Sequence, residues 1–179
     1  EKCWRDLGLS LEGPQVAYMV RWYSELWRWT ASRKQSFRML RALVRRRRLR
    51  AGASADVPFQ WLIGGPTRRL SPWAQVVKRD LDLGRRLDMI EAYFSPGQGM
   101  LRRIKRFARR DGARIILPAK SDNGATIAAS RLLYGPLLKR GIGIYEYLPC
   151  KLHMKLVVID NTVYIGSANF DMRSLFLNL

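Results

Sequence analysis

The sequence predicts an α/β fold in which a mixed, mostly parallel sheet is flanked by helices and ends in a β-hairpin. From residue 57 onward, short apolar runs typical of strands alternate with stretches of helical periodicity, which is the pattern of parallel βαβ crossovers. Two apolar runs near the end of the chain flank the pair Asp160-Asn161. Because such a pair favours a tight turn, these runs are predicted to form the hairpin.

The first 56 residues are predicted to carry a Trp-rich helix followed by a basic linker. Residues 14–32 have helical periodicity, and Pro14 is suited to the first helical position. The apolar stripe consists of Val16, Val20, Tyr23, Trp27 and Thr30. We interpret this stripe as facing a core, with an interfacial helix at lipid headgroups as the alternative. The basic run at 45–50 is either solvated or a contact for nucleic acid or acidic lipid.

In the α/β region, elements are predicted from apolar runs and from their Gly and Pro boundaries. The predicted strands are residues 57–63, 89–96, 113–118, 142–149, 153–160 and 162–166. The predicted helices are residues 72–88, 98–110, 123–140 and 170–177. Gly97 and Gly99 are interpreted as a strand-to-helix boundary, and Ser121-Asp122-Asn123 as a helix cap.

Length, charge and cysteine content narrow the class of protein. The 179 residues are the size of one domain, and the formal net charge of +19 favours an anionic partner, either nucleic acid or an acidic lipid surface. No apolar run approaches the roughly 18 residues of a membrane-spanning helix. Two cysteines, Cys3 and Cys150, do not make a disulfide framework, so a reducing compartment is expected. Cys150 is interpreted as a small residue that enters a strand.

The hairpin is predicted to gather polar side chains at one point. Side chains alternate along a strand, so His153 and Lys155 share a face, with Cα atoms ~6.5–7 Å apart. A two-residue loop would pair Lys155 with Gly166, whereas a three-residue loop would pair it with Ser167. In either register the segment from Gly166 to Asn169 ends beside the histidine and the lysine.

Such a cluster is suited to a phosphate group. Lys155 supplies a positive charge, Ser167 a hydroxyl and Asn169 an amide donor. A helix that starts at Phe170 would add its first backbone N–H groups. His153 is the only histidine of the chain, and in its neutral form it could attack phosphorus or shuttle a proton to a leaving alcohol.

The spacing of these residues resembles the HKD motif of the phospholipase D superfamily. The motif comprises His153-x-Lys155, Asp160 and Gly166-Ser167-x-Asn169. The flanks "PAKSDN", "YEYLPCKLHMKLVVID" and "GSANFDMRSLFLNL" resemble the bacterial cardiolipin synthase branch, and "WRDLGLSLEGPQV" resembles the segment after the first HKD motif of those enzymes. The resemblance implies a phospholipase D-like fold. Residues 1–56 would be the tail of a first half, and residues 57–179 a second domain, truncated at its C-terminus.

The resemblance also implies a chemistry: metal-independent phosphatidyl transfer without a cofactor, in which two HKD motifs face each other and one histidine becomes a phosphohistidine. The implied catalytic residues are His153, Lys155 and Asp160. His153 would be the acid/base of the second motif, and Asp160 would have an orienting or structural role. Lys155, Ser167 and Asn169 would bind the phosphate. No residue is implied to bind a metal.

The implied partners follow from that reaction. They are the anionic lipid phosphatidylglycerol, a membrane surface, and a first HKD half-site located either upstream in the same protein or in a second chain. The expected location is the bacterial inner membrane, with peripheral attachment or anchoring by segments outside this chain. Two other functions remain open at this point: a phosphodiesterase of the superfamily that acts on nucleic acid, and a catalytically incomplete basic lipid-binding fragment.

Overall fold

The computed structural model describes residues 3–32, 36, 38–44, 59–64, 71–172 and 174. The basic run at 45–50 and the predicted end of the chain beyond residue 174 lie outside these residues. The predicted α/β fold is confirmed, because a mixed sheet is flanked by helices. No helix of the described residues is long and apolar enough to cross a bilayer.

The central sheet has five strands, and four of them run in the same direction. Their order across the sheet is β5-β4-β2-β7-β8. The strands are β2 (Leu87–Glu91), β4 (Ala113–Pro118), β5 (Gly143–Tyr147), β7 (Lys155–Ile159) and β8 (Thr162–Ile165). Strand β4 pairs in parallel with β2 and β5, whereas β7 runs antiparallel to β2 and β8. Strand β7, which carries Lys155 of the HKD motif, therefore lies inside the sheet, between β2 and β8.

Two small ladders lie beside the central sheet. Strand β1 (Trp4–Arg5) pairs in parallel with β6 (Lys151–Leu152), and β3 (Phe94–Ser95) pairs in parallel with β9 (Phe170–Asp171). Both ladders join segments that are distant in sequence. They attach the start of the chain and the segment after the hairpin to the same region of the sheet.

Five helices of the described part of the chain are complete, and residues 38–44 are also helical. The complete helices are α1 (Pro14–Ala31), α3 (Pro72–Leu83), α4 (Gln98–Arg106), α5 (Gly124–Arg131) and α6 (Tyr134–Leu138). We label the helical residues 38–44 α2. The predicted cap is confirmed, since Asn123 Oδ1 accepts a hydrogen bond from Thr126 N. Gly97 is the N-cap of α4, as its boundary position predicted.

Several predicted boundaries were wrong for local reasons. The helix predicted over 123–140 is two helices, because Pro136 has no N–H to donate to the carbonyl one turn earlier. Helix α3 ends at Leu83 rather than residue 88. A Cβ at the following Gly84 would lie 2.4 Å from Ile159 Cγ2, so this close approach requires glycine. The strand predicted over 89–96 is β2 and β3, separated by a bend in which Ala92 N donates to Met154 O.

The strand predicted over 57–63 was also wrong as far as the structure describes it. Residues 59–64 form no strand. They lie against α1 instead, where Trp61 Nε1 donates a hydrogen bond to Gln15 O at 3.0 Å. The apolar run is thus explained by contact with a helix, since short apolar segments do not distinguish strands from other buried segments.

Helix α1 begins at Pro14 as predicted, but it packs through a different face. Trp22 is buried, whereas Val20, Tyr23 and Trp27 of the predicted core-facing stripe are exposed. The prediction of the buried face was wrong because aromatic residues cover more than one side of this helix. Periodicity alone then cannot choose the side that meets the rest of the fold.

The core lies between the central sheet and helices α3 and α4. Its fully buried members include Leu81 of α3, Ile104 of α4, and Leu87 and Ile115 of the sheet. Phe107 follows α4 in a 3-10 turn and is also fully buried. This core holds β2 and β7 rigidly, and the candidate site is built at one end of these two strands.

Candidate active site

The hairpin has the two-residue loop. Ile159 pairs with Thr162, and Leu156 pairs with Ile165. Asp160, in the loop, has a φ of 50°, a left-handed conformation that aspartate tolerates better than most residues. Its carboxylate accepts hydrogen bonds from the backbone N–H groups of Arg85 and Arg86 at 2.8–3.2 Å. Asp160 therefore ties the hairpin turn to the start of β2, at the end of the sheet away from Lys155.

His153 lies just before β7 and is held by the start of the chain. His153 N donates to Arg5 O at 2.8 Å, which continues the ladder between β1 and β6. The ring of Trp4 packs edge-on against the imidazole, with 5.6 Å between ring centroids. The same ladder brings the next residue, Asp6, to the imidazole, and Asp6 Oδ2 lies 2.9 Å from His153 Nδ1.

Lys155 lies on the other side of the imidazole. Lys155 Nζ is 3.1 Å from His153 Nε2 and donates a hydrogen bond to His153 O at 2.7 Å. The two side chains are thus brought together as predicted, but the strand predicted over 153–160 begins only at Lys155, so His153 lies just before it. Partial burial lowers the pKa of Lys155, while the charges of Asp6 and Glu91 act in the opposite direction.

The contacts of the ring nitrogens assign a tautomer to His153. The hydrogen bond from His153, followed by one from Leu7 N–H, lowers the pKa of Asp6. An ionised carboxylate only accepts hydrogen bonds, so Nδ1 carries the proton in neutral His153. Nε2 then has a lone pair directed toward Lys155 Nζ. An imidazole oriented in this way can accept a proton or attack an electrophile at Nε2.

Asn169 reaches the site after the chain has left the hairpin. Beyond Ile165 the chain turns away from β7, and Phe170 enters β9. Phe170 N donates to Glu91 Oε2 at 3.2 Å, and Glu91 is the β2 partner of Lys155. This contact ties the residue after Asn169 to the strand partner of Lys155. The side-chain Oδ1 of Asn169 is buried and has no hydrogen-bond partner among the described residues.

Ser167 differs from the prediction of convergence on one face. Its side chain is exposed, and it lines an open cavity of about 700 Å³. The cavity walls include Trp22, Trp61 and Trp73. In the two-residue register, the pleat of the hairpin does not itself direct Ser167 to Lys155. The bend at Gly166 decides where the serine points.

The predicted helix over 170–177 begins later than expected. Phe170 and Asp171 form β9, and helical geometry is described only at Met172 and Ser174. Asp171 Oδ1 accepts a hydrogen bond from Ser174 N at 2.6 Å, as an N-cap residue does. Asn169 N donates to Ser174 Oγ at 3.1 Å, so this turn holds the asparagine segment.

Sequence reasoning missed Asp6 and Glu91. Asp6 lies in the segment "WRDLGLSLEGPQV", and no spacing rule joins it to a histidine so far along the chain. Glu91 had one local signal, since it is the only acid in the run from Met89 to Pro96. A carboxyl group in a buried strand is rare unless it has a partner.

Cys3 and Cys150 lie at the outer end of the ladder between β1 and β6. A hydrogen bond with the Cys150 side chain raises the pKa of Cys3. A raised pKa makes the Cys3 thiol less reactive. The interpretation of Cys150 as a small residue that enters a strand agrees with its position directly before β6.

Comparison with known proteins identifies the family. The family model described as cardiolipin synthase, PLD-like domain, matches residues 81–179, which include the whole HKD motif. The chain belongs to the cardiolipin synthase branch of the phospholipase D superfamily. Asp6 lies outside the residues that match this phospholipase D-like domain.

Relatives of the branch match almost the entire chain. Cardiolipin synthase A of Pseudomonas fluorescens (strain Pf-5) is 32% identical over 179 residues, which cover 98% of this chain and 35% of that protein. Cardiolipin synthase 1 of Bacillus cereus is 30% identical over 183 residues, covering 98% of this chain and 35% of that protein. The chain thus spans about a third of the length of the curated relatives it matches.

Among solved structures, the phospholipase D family member Nuc from Salmonella typhimurium is similar to this chain, with a TM-score of 0.48. It is 22% identical, and the match covers 60% of this chain and 70% of that chain.

Proposed function

We propose that this chain supplies one half of the active site of a cardiolipin synthase-type phosphatidyltransferase. The enzyme would move a phosphatidyl group from one phosphatidylglycerol molecule to another through a phosphohistidine intermediate and release glycerol. The observation that carries the proposal is that the two ring nitrogens of His153 contact the Asp6 carboxylate and the Lys155 ammonium.

His153 has the acid/base role in this reaction. In the first step the histidine of the other half-site attacks phosphorus, and protonated His153 gives its Nε2 proton to the leaving glycerol oxygen. In the second step His153 Nε2 takes the hydroxyl proton of a second phosphatidylglycerol, whose oxygen attacks the phosphohistidine and frees the other histidine. Asp6 stabilises the imidazolium that is present before the first step and again after the second, and it keeps Nε2 directed at the substrate.

Lys155 and Asn169 bind the phosphate oxygens. The ammonium of Lys155 is half-buried, so its charge acts on a substrate phosphate with less screening than a surface lysine would. Asn169 contributes its side-chain amide, and Ser167 adds a hydroxyl at the edge of the site. Asp160 has a structural role, since its carboxylate is occupied by backbone N–H groups of the segment before β2.

The second half-site has to come from outside this sequence, because His153 is the only histidine in it. It is supplied either by another part of the same protein or by a second chain. The net charge of +19 suits a surface rich in acidic phospholipid. The protein would then work at the bacterial inner membrane, attached peripherally or anchored by segments outside this chain.

The experiment measures cardiolipin by mass spectrometry after incubating the full-length protein with phosphatidylglycerol vesicles in EDTA. We expect cardiolipin and glycerol from the wild type and an almost complete loss of both in His153→Ala. Lys155→Ala should act similarly, whereas Lys139→Ala, which changes an exposed lysine of the same charge, should leave turnover unchanged.

Two outcomes would contradict the proposal. Absence of cardiolipin from the wild type, or unchanged turnover in His153→Ala, would exclude the transferase. Cleavage of plasmid DNA in EDTA, lost in His153→Ala while phosphatidylglycerol is untouched, would instead establish the nucleic-acid phosphodiesterase. That activity would also fall steeply with added salt.

A further inference from the structure

Glu91 is a fully buried carboxyl group at the end of β2, next to the proposed phosphate site. Its exposed fraction is 0%, and its strand partner on β7 is Lys155. Glu91 Oε2 accepts a hydrogen bond from Phe170 N–H. The other oxygen, Oε1, is buried and has no hydrogen-bond partner among the described residues. A buried carboxylate with one oxygen unsatisfied is costly, so this carboxyl group requires an explanation.

A second unsatisfied oxygen lies one residue from the group that Glu91 binds. Asn169 Oδ1 is buried and unpartnered, and Asn169 directly precedes Phe170. Two acceptors that lack a donor cannot satisfy each other while both are bare oxygens. A single proton on Glu91 Oε1 would give both oxygens a hydrogen-bond partner, because a protonated carboxyl group donates one hydrogen bond.

We propose that Glu91 is a positioning residue that keeps its proton at neutral pH and donates it to Asn169 Oδ1. The asparagine amide is then held with its NH₂ group directed outward, where it donates to a phosphate oxygen. The opposite orientation would present an oxygen to the phosphate, which repels it. The inference deepens the proposed function and rests on it for the identity of the phosphate, but not for the protonation of Glu91.

The charges around Glu91 agree with a neutral carboxyl group. Burial is the largest influence and raises the pKa of Glu91 well above its ordinary value, and Asp171 on β9 acts in the same direction. The Phe170 N–H group and Lys155 on β7 act in the opposite direction. The negative charge of an ionised Glu91 would partly offset the positive charge of Lys155. A neutral Glu91 leaves the full charge of Lys155 to attract the substrate phosphate.

The proton can be observed directly, without any activity. Infrared spectra of this chain at pH 7, prepared with isotope-labelled glutamate, should contain the isotope-shifted C=O band of a protonated glutamic acid. The band should vanish in Glu91→Gln and should diminish in the wild type as the pH is raised. Absence of the band from the folded wild type would overturn the proposal, and this holds even if Glu91→Gln fails to fold.

The positioning role has its own readout in the full-length protein. Turnover of phosphatidylglycerol by the wild type should fall as the pH rises through the pKa of Glu91. Glu91→Gln should remove the part of that fall that comes from Glu91 and keep neutral turnover within about 3-fold, because its amide can donate to Asn169 Oδ1 in place of the acid. Glu91→Ala should lower kcat by about 10²-fold, the cost of one misplaced donor to a transition-state oxyanion.

These outcomes separate the inference from the proposed function. An unchanged alkaline fall in Glu91→Gln would overturn the positioning role. If the full-length protein makes no cardiolipin, the proposed transferase fails, while the infrared band still decides whether Glu91 carries a proton. If the band is present, the same pH comparison is made on whichever phosphodiester the protein cleaves.

Discussion

Asp6 and His153 are 147 positions apart in the sequence, yet Asp6 Oδ2 lies 2.9 Å from His153 Nδ1. The contact depends on the short parallel ladder in which Trp4 pairs with Lys151 and Arg5 with Leu152. The pairing of these two backbone segments thus places the carboxylate of Asp6 beside the imidazole of His153. The relationship assigns a tautomer to the histidine, with the proton of the neutral ring on Nδ1.

Asp6→Asn tests whether that acid takes part in turnover. We expect kcat for cardiolipin formation to fall by about 10²- to 10⁴-fold with little change in KM, because the amide lacks the charge that stabilises the imidazolium. Steady-state kinetics of the full-length protein give both constants. The control is Asp111→Asn, which removes a surface carboxylate paired with Arg85 near the other end of β2. Equal effects of the two substitutions would contradict a specific role for Asp6.

Asp160 is expected to matter for stability rather than chemistry. Asp160→Gly keeps the positive φ accessible but removes the hydrogen bonds to Arg85 N and Arg86 N, which should destabilise the fold by about 2 kcal/mol. Asp160→Asn keeps one acceptor and should cost less. Urea unfolding measures both changes. Turnover per folded molecule should stay near that of the wild type, and a selective loss of kcat in folded Asp160→Asn would instead indicate a catalytic role.

Phe170 joins the asparagine segment to the core. Its ring is fully buried and packs against Phe94 and Trp73, with centroid distances of 6.0 and 5.8 Å. Phe170→Ala should destabilise the fold by about 3–5 kcal/mol through loss of apolar burial and the cavity left behind. Thermal unfolding measures the change. Val163→Ala, at a side chain that is 56% exposed, should change stability by about 0.5 kcal/mol or less.

The raised pKa of Glu91 predicts that the free energy of unfolding depends on pH. Its pKa is raised in the fold above the ordinary value of 4.5, so over the interval between the two values the folded state keeps a proton that the unfolded state has lost. The stabilisation is fully present below the unfolded pKa and is lost as the pH rises through the folded pKa, with a slope of at most about 1.4 kcal/mol per pH unit.

Glu91→Gln should therefore become more stable relative to the wild type as the pH rises above the unfolded pKa. Urea unfolding of both proteins at a series of pH values measures the difference in the free energy of unfolding. A constant difference across that series would show that Glu91 has the same pKa in the folded and unfolded states.

Much of the local structure could be predicted because it depends on neighbouring residues. The turn at Asp160-Asn161, the cap at Asn123 and the start of α4 after Gly97 all follow from side-chain or backbone chemistry over a few positions. The predicted ends of helices and strands were wrong where a segment distant in sequence packs against the element. Helix α3 ends at Leu83, and the following Gly84 lies against Ile159, a contact that the helix sequence does not record.

The sequence by itself determined the α/β class, the hairpin and the closeness of His153 to Lys155, whose side chains are in contact. It did so because strand alternation and turn chemistry act over a few residues. Only the tertiary structure decided that Asp6 meets His153, that Glu91 lies buried opposite Lys155, and that the chain leaves the hairpin after Ile165. Those contacts depend on strand pairings between distant segments, which are selected by the packing of the whole core.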